Sequence, residues 1–388
     1  MSSPVMQAMY LFKFLSLAIF LVSFCAQSLA AALPVPAAPA IGAKSYFLMD
    51  GNSGHELASM EPDLRLAPAS LTKLMTGYAI FRALQEGQIT LDDEVTVSEK
   101  AWRTPGSRMF IEVGTRVLVR DLIMGMIVQS GNDASVALAE HVAGDESVFA
   151  EVMNQYALEL GMNDSHFRNT TGLPQENHYS TARDMATLAR AVVNEFPAYY
   201  EWYSVREYEY NGISQPNRNA LLWRDSSVDG MKTGHTAAAG YCLVSAAERD
   251  GMRIISAVLG TASPKVRNDG SQALLNYGFR FFETRRLYKA GETVTEARIW
   301  KAANASTPLG LPEDLYITVP RGSYDDVESV LSMPAILVAP VAQGQPLAEL
   351  LVSLNGSSLV RAQLRALNGN PSGSLWQRGR DALMLLFE

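Results

Sequence analysis

The sequence predicts a mixed α/β (α+β) chain: an antiparallel sheet flanked by helices, then a small C-terminal β-rich domain and a terminal amphipathic helix. Three observations lead there. Strand-like and helical stretches are interspersed without the strict strand–helix alternation that builds a parallel sheet. Two long apolar runs, Gly240 to Ala247 and Met252 to Leu259, meet across Asp250-Gly251, a dipeptide that favours a tight hairpin between antiparallel strands. Beyond Thr284 the texture shifts to short β-rich runs broken by Gly, Pro and Asn, which marks a second domain.

Each element has its own local reason. Phe14 to Phe24 is an apolar run preceded by Lys13 and followed by Ser28-Leu29-Ala30, a small-x-small cleavage signal, so residues 1–30 read as a secretory signal peptide. The run is shorter than the ~20 apolar residues a membrane span needs. Residues 31–40, rich in Ala and Pro, read as a tether before a domain over 41–287. That domain opens with a hairpin, Ser45 to Asp50 and then His55 to Ser59, across the turn Asn52-Ser53-Gly54. From Ala69 to Leu84 the residues Leu71, Leu74, Met75, Tyr78, Phe81 and Leu84 keep helical spacing after Pro68. Val119 to Val128 and Asp133 to Val142 are helical stretches separated by the polar break Gln129-Ser130-Gly131-Asn132, a candidate site. A strand over Gly230 to His235 starts the meander, and a helix from about Asp269 to Phe282 completes the domain, although Gly278 lies in its apolar face. Val294 to Trp300, Leu315 to Val319 and Ala335 to Val338 read as strands of a β-rich domain over 288–370. Residues 371–388 form a tail in which Leu375, Trp376, Leu383, Leu386 and Phe387 share one helical face and Gln377, Arg378 and Asp381 the other.

Composition narrows the function. At roughly 150 residues per domain, 388 residues suggest about two domains. Hydrophobic residues at 48% and charged residues at 19% exclude a disordered or collagen-like chain. The net charge of −8, from 32 Lys plus Arg against 40 Asp plus Glu, offers no basic field for a phosphate backbone, so nucleic acid is not an expected partner. Of two cysteines, Cys25 lies in the leader, and Cys242, inside an apolar run, is expected to be a buried strand residue. Five scattered His build no metal cluster, and neither a metal nor a cofactor is expected.

Three short motifs carry chemistry. Ser70-Leu71-Thr72-Lys73 sets a hydroxyl and an amine three residues apart on one helix face, where a Lys with a lowered pKa can activate the Ser. Ser130-Gly131-Asn132 falls in the break between two helices, where side chains can face a cleft; Ser353-Leu354-Asn355 has the same form in the second domain and is read as coincidence. Lys232-Thr233-Gly234 lies on a strand, where alternation sends Lys232 and Gly234 to the face opposite Thr233 unless the strand twists or bulges, and Gly234 would admit a substrate backbone.

In this order, and alongside the upstream turn Asp50-Gly51-Asn52-Ser53-Gly54, these motifs resemble the Ser-x-x-Lys, Ser-Asp-Asn and Lys-Thr-Gly signature of penicillin-binding proteins and class A β-lactamases. The sequence resembles the low-molecular-mass penicillin-binding proteins that are serine D-alanyl-D-alanine carboxypeptidases. Pro68 to Thr76, Gln129 to Ala134, Tyr179 to Met185 and Val228 to Thr236 carry the likeness, which spans nearly the whole chain after the leader. The resemblance implies a β-lactamase/transpeptidase-like domain, a β-rich second domain and a membrane-binding tail. It implies Ser70 as the acylated nucleophile, Lys73 as its base and Ser130 as the proton relay to the leaving D-alanine nitrogen. Asn132 would hold the substrate amide, Lys232 and Thr233 the terminal carboxylate, and the N–H groups of Ser70 and His235 the oxyanion. Arg218 and Arg267 match positions near the carboxylate site, with solvated surface arginines as the alternative. Implied partners are peptidoglycan pentapeptide stems, β-lactams as covalent inhibitors, and the periplasmic face of the cytoplasmic membrane through residues 374–388.

The chain departs from that family at Thr170-Thr171-Gly172-Leu173, where relatives often place a His before Gly-Leu, and at Ser135, where some carry a Cys. A class A β-lactamase needs a Glu in a Glu-x-x-Leu-Asn loop; here Glu176 stands instead between Pro174 and His178, as a solvated loop carboxylate. Endopeptidase action on the same D-Ala-linked bond, and a non-catalytic penicillin-binding scaffold, remain open.

Overall fold

The computed structural model describes residues 35–387; the expected signal peptide lies outside them. Five antiparallel strands form the central sheet: β1 (Ser45–Asp50), β2 (Glu56–Met60), β3 (Val228–Thr236), β4 (Gly240–Arg249) and β5 (Met252–Thr261), in the order β2-β1-β5-β4-β3. Both faces are covered, which is why β1 and β5 read as almost unbroken apolar runs. Ile255, Ala257 and Leu259 of β5 enter the main core with Met185 and Leu188 of helix Ala182–Glu195. Ile254 turns the other way, onto helix Pro264–Phe281, where a Cβ on Gly278 would stand 2.5 Å from its Cδ1. Gly278 is therefore a close-packing residue of that helix.

Two expectations are corrected. The last helix of the first domain begins at Pro264, earlier than Asp269, because Ser263 caps it by accepting from Val266 N (3.2 Å) and Pro264 occupies its first turn. Ala335 to Val338 is not a strand; Pro334 and Pro340 bracket it, and its ladder contact is a single bridge from Val338 to Trp300. The second sheet comprises Thr293–Arg298, Ser306–Gly310, Ser357–Ala366, Pro346–Leu354 and Val327–Ser332, in that spatial order. Part of the Ala/Pro tether is packed: Tyr277 Oη donates to the Pro36 carbonyl (2.9 Å).

The turn after β1 ties the central sheet to a separate two-stranded ladder, Phe282–Tyr288 with Leu315–Pro320. Buried Asp50 accepts from Ser53 N (2.7 Å), Ser53 Oγ (2.9 Å) and Thr284 Oγ1 (2.6 Å), while Thr318 Oγ1 lies 2.6 Å from Ser53 Oγ. Arg321 donates to the carbonyls of Phe279 and Phe282 (2.8 and 3.0 Å), completing the C-terminus of helix Pro264–Phe281.

The terminal helix, Leu375–Met384, starts with a capping box between Ser374 and Gln377. Its polar edge rests on the second domain: Asp381 accepts from Lys301 N (2.7 Å) and Arg380 (3.0 Å), and Gln377 Nε2 donates to Ala303 O (3.2 Å). The apolar residues face outward, with Trp376 at 89% and Phe387 at 85% exposure. Among the described residues no helix is long and apolar enough to cross a membrane.

Candidate active site

Ser70 lies in a single 3-10 turn, Ala69–Leu71, that feeds α1 (Thr72–Gln85). The turn is pressed from two sides. A Cβ on Gly234 of β3 would stand 3.0 Å from Pro68 O and 3.2 Å from Ala69 Cβ, and one on Gly172 would fall 1.7 Å from Ala69 O. What Gly234 admits is thus the Ser70 turn itself rather than a substrate backbone. Ala69, at φ +49°, holds a left-handed conformation that this packing enforces.

One turn along α1, Lys73 is 1% exposed and donates to Ser70 Oγ (3.2 Å), Asn132 Oδ1 (2.7 Å) and Thr171 O (2.8 Å). Burial, helped by the Arg218 cation and opposed by the Asp133 carboxylate, pulls its pKa down to about 7. The neighbouring helix residues tie α1 to loop 168–178: Thr76 Oγ1 donates to Thr170 O (2.8 Å), and His178 Nε2 lies 2.9 Å from Thr72 Oγ1. Because Arg168 N–H donates to His178 Nδ1 (3.3 Å), Nε2 carries the proton and donates to Thr72. Burial, with His166 nearby, lowers the imidazole to about 4 and keeps it neutral.

The second motif is held by its own loop. Ser130, at φ +62°, has a buried Oγ without a hydrogen-bond partner among the described residues, at the wall of the cleft. Helix Asn132–Ala143 begins immediately after. Asn132 donates through its N–H to Ser107 O (2.7 Å) and through Nδ2 to Pro105 O (2.6 Å). Asp133 accepts from the N–H groups of Met109 (3.0 Å), Phe110 (3.0 Å) and Ala134 (2.9 Å). Together these bonds fix the loop that carries Gly106 and Ser107 over the cleft.

Strand β3 is the outermost of its sheet, and the cleft runs along its open edge. Strict alternation therefore does not separate its residues: Thr233, Gly234 and His235 all border the cleft, and Lys232 is buried behind it, donating to Thr233 O (3.2 Å). Burial, then the cations of Lys73, Arg218 and Arg267, push the Lys232 pKa well down. Arg218 and Arg267 are cleft residues and not surface arginines, both with burial lowering their pKa values. Asn217 and Asn219 anchor the Arg218 segment through bonds to Val205 O and Gly230 O (both 2.9 Å).

The cleft measures about 490 Å³ and brings together Ser70, Ser130, Arg218, Thr233, Gly234, His235 and Arg267, with Lys73, Asn132 and Lys232 behind its wall. Sequence reasoning missed Ser107 and Tyr241, whose ring stacks on His235 at 4.0 Å, and His178. Among the described residues no carboxylate lines the cleft. The Asp50–Gly54 turn sits against the two-stranded ladder of Thr284 and Thr318 rather than here, and Ser353-Leu354-Asn355 lies in the second domain's hairpin between Pro346–Leu354 and Ser357–Ala366. Among the described residues no His, Cys, Asp and Glu group could hold a metal. A comparable cleft of about 470 Å³, lined by Arg249, Arg280, Arg285 and Arg321, has no Ser–Lys pair.

Residues 33–263 match the family described as D-alanyl-D-alanine carboxypeptidase, and residues 282–369 match the C-terminal domain of penicillin-binding protein 5. The chain is 40% identical over 361 residues to the D-alanyl-D-alanine carboxypeptidase DacA of Escherichia coli, covering 91% of this chain and 90% of that one. It is 41% identical to DacC of the same organism, over 95% of this chain and 94% of the other. A crystal structure of penicillin binding protein 5 from Haemophilus influenzae superposes with a TM-score of 0.82 at 41% identity, covering 87% of this chain and all (100%) of that one. With a Ser–Lys pair at a helix start, a Ser-x-Asn break and a Lys-Thr-Gly edge strand around one cleft, and with these relatives along almost its full length, the chain belongs to the D-alanyl-D-alanine carboxypeptidase family.

Proposed function

We propose that this protein removes the terminal D-alanine from peptidoglycan pentapeptide stems through an acyl-enzyme on Ser70, and that β-lactams inhibit it by acylating the same oxygen. The observation that carries the reading is the buried Lys73 amine, with a pKa near 7 and hydrogen-bonded to Ser70 Oγ at 3.2 Å. Neutral Lys73 takes the Ser70 proton as Oγ attacks the penultimate D-Ala carbonyl. The N–H groups of Ser70 and His235 receive the oxyanion. Ser130 Oγ relays the proton taken up by Lys73 to the departing nitrogen, a role suited to a buried hydroxyl with no hydrogen-bond partner among the described residues. The cations of Lys232, Arg218 and Arg267, with Thr233, bind the terminal carboxylate, while Asn132 holds the substrate amide. Water then cleaves the acyl-enzyme.

Among the described residues no carboxylate lines the cleft, and Glu176 is exposed on its loop, so a penicillin adduct lacks a β-lactamase-like base to activate water and should persist. Incubation with a diacyl-L-Lys-D-Ala-D-Ala tripeptide should release free D-alanine, and Ser70→Ala should abolish the release. Rapid, catalytic penicillin hydrolysis would place the protein with the β-lactamases instead.

The reading extends to location. Export by the 1–30 leader would put the enzyme in the periplasm, and residues 374–388 would hold it at the cytoplasmic membrane. The outward apolar side chains of Leu375, Trp376, Leu383 and Phe387 support this, because a helix docked only as a core element would bury them. Arg380 is held on Asp381, which leaves Arg378 as the helix cation for headgroups. Deleting residues after Ser372 should move the protein from the membrane to the soluble fraction with hydrolysis intact; continued sedimentation with membranes would contradict the anchor.

A further inference from the structure

The second domain carries another apolar surface beside the terminal helix. From Ser329 to Ala348 the chain contains no Asp, Glu, Lys, Arg or His. Within this stretch Val330 (55% exposed), Leu331, Met333, Ile336 and Val338 all reach solvent. Strand Val327–Ser332 is the outermost of its sheet, paired on one side with Pro346–Leu354. Soluble proteins protect such an edge with charges or a cover, since a bare apolar edge invites association. After Glu328 this one has no charge.

Its position says what covers it. Trp300 donates to Leu337 O (2.7 Å) and accepts from Ala339 N (2.9 Å), while the next residue, Lys301, donates to Asp381 of the terminal helix (2.7 Å) and accepts from Gly373 N (2.8 Å). Val341 and Asn370 exchange both backbone bonds (2.9 and 2.8 Å). Three segments thus run side by side, 337–341, 300–301 and 370–381, and the apolar stretch leads directly to the base of the apolar helix. Lys301 and Arg378, at that junction, make no ion pair among the described residues and suit anionic headgroups. Strand addition by a protein partner fits less well, because Pro334 and Pro340 remove backbone donors just beyond the short edge.

We propose that residues 330–338 and the terminal helix form one bipartite lipid-facing surface, so that the β-rich domain itself touches an anionic bilayer. This rests on the reading of the helix as a membrane anchor. Two rigidly joined contacts bind more tightly than either alone and hold the domain at one tilt, whereas a lone helix would let it swing.

The test uses vesicles of phosphatidylethanolamine and phosphatidylglycerol. An environment-sensitive NBD label on Ile336→Cys, in a Cys25→Ser background with Cys242 buried, should brighten and shift to the blue on vesicle binding. Val330→Glu/Ile336→Glu should weaken vesicle affinity about tenfold while D-alanine release and the melting temperature stay unchanged. In a chain truncated after Ser372 the weak remaining affinity should disappear on adding the same pair. An unshifted label on a vesicle-bound protein that Trp376→Glu releases would overturn this proposal and leave the anchor standing. Binding unaffected by Trp376→Glu would overturn the anchor and this proposal with it. A dimer that Val330→Glu/Ile336→Glu converts to monomer, with vesicle affinity unchanged, would assign the face to a second copy and overturn the proposal.

Discussion

Acylation of Ser70 should fall along an acid limb centred near pH 7, because Lys73 must be neutral to take the proton. Its pKa of about 7 arises from burial and the Arg218 cation, partly offset by Asp133. A base with that pKa is ~90% neutral at pH 8 and ~3% at pH 5.5, so the acylation rate constant should drop about 30-fold across the interval. An ordinary lysine would be only ~0.3% neutral at pH 8 and would still be climbing at pH 10. The assay is the second-order rate of labelling by a fluorescent penicillin from pH 5.5 to 9, with the melting temperature recorded at each pH. Two substitutions give the sign independently of rate: Arg218→Gln removes a cation and should move the midpoint up, whereas Asp133→Asn removes an anion and should move it down. Lys232, also depressed but needed as a cation, should add an alkaline limb, so the two lysines titrate as a pair. A rate still climbing tenfold per pH unit at pH 9, a flat profile, or both substitutions shifting the limb the same way would refute the reasoning.

Further expectations follow from the same contacts. Unfolded Lys73 binds its proton up to ~10.5, so above pH 7 the unfolded state holds more protons and this group makes stability rise with pH; the rise in melting temperature from pH 7 to 9 should be smaller in Lys73→Met. Gly172→Ala should cost at least roughly 2 kcal/mol and slow acylation, since φ is +81° and the new Cβ would collide with Ala69 O; an unchanged melting curve would contradict that packing. Thr284→Val should cost about 1–3 kcal/mol by stripping a hydrogen bond from buried Asp50, with tripeptide hydrolysis retained, as denaturant titration can show.

How much of this was legible in the sequence depends on the range of the interactions. Ser70 and Lys73 could be paired from spacing alone, because one helical turn brings them together. The partners of Lys73 could not, since Asn132 and Thr171 are 59 and 98 residues away and reach it only through tertiary packing. His178 left no local signal: it acts on Thr72 from a loop, and its tautomer is set by Arg168 N–H. Arg218 and Arg267 read equally well as surface residues until the fold enclosed them. Period-two alternation alone does not decide which of Lys232 to Gly234 meet the cleft, because the cleft lies along a strand edge and not on a sheet face. The early start of helix Pro264–Phe281 was visible in Ser263-Pro264, but its first turns lack the apolar periodicity that draws attention. Ala335 to Val338 is apolar enough for a strand, and the flanking prolines decide against it.

The central claim, that Ser70 is acylated with Lys73 as its base, is tested most directly by intact-mass and peptide-map mass spectrometry after brief exposure to benzylpenicillin. One penicilloyl adduct should appear on the peptide containing Ser70 and persist on dilution, with no adduct on Ser70→Ala and a greatly slowed one on Lys73→Ala. An adduct on another residue, or one that forms equally fast in Lys73→Ala, would contradict the account.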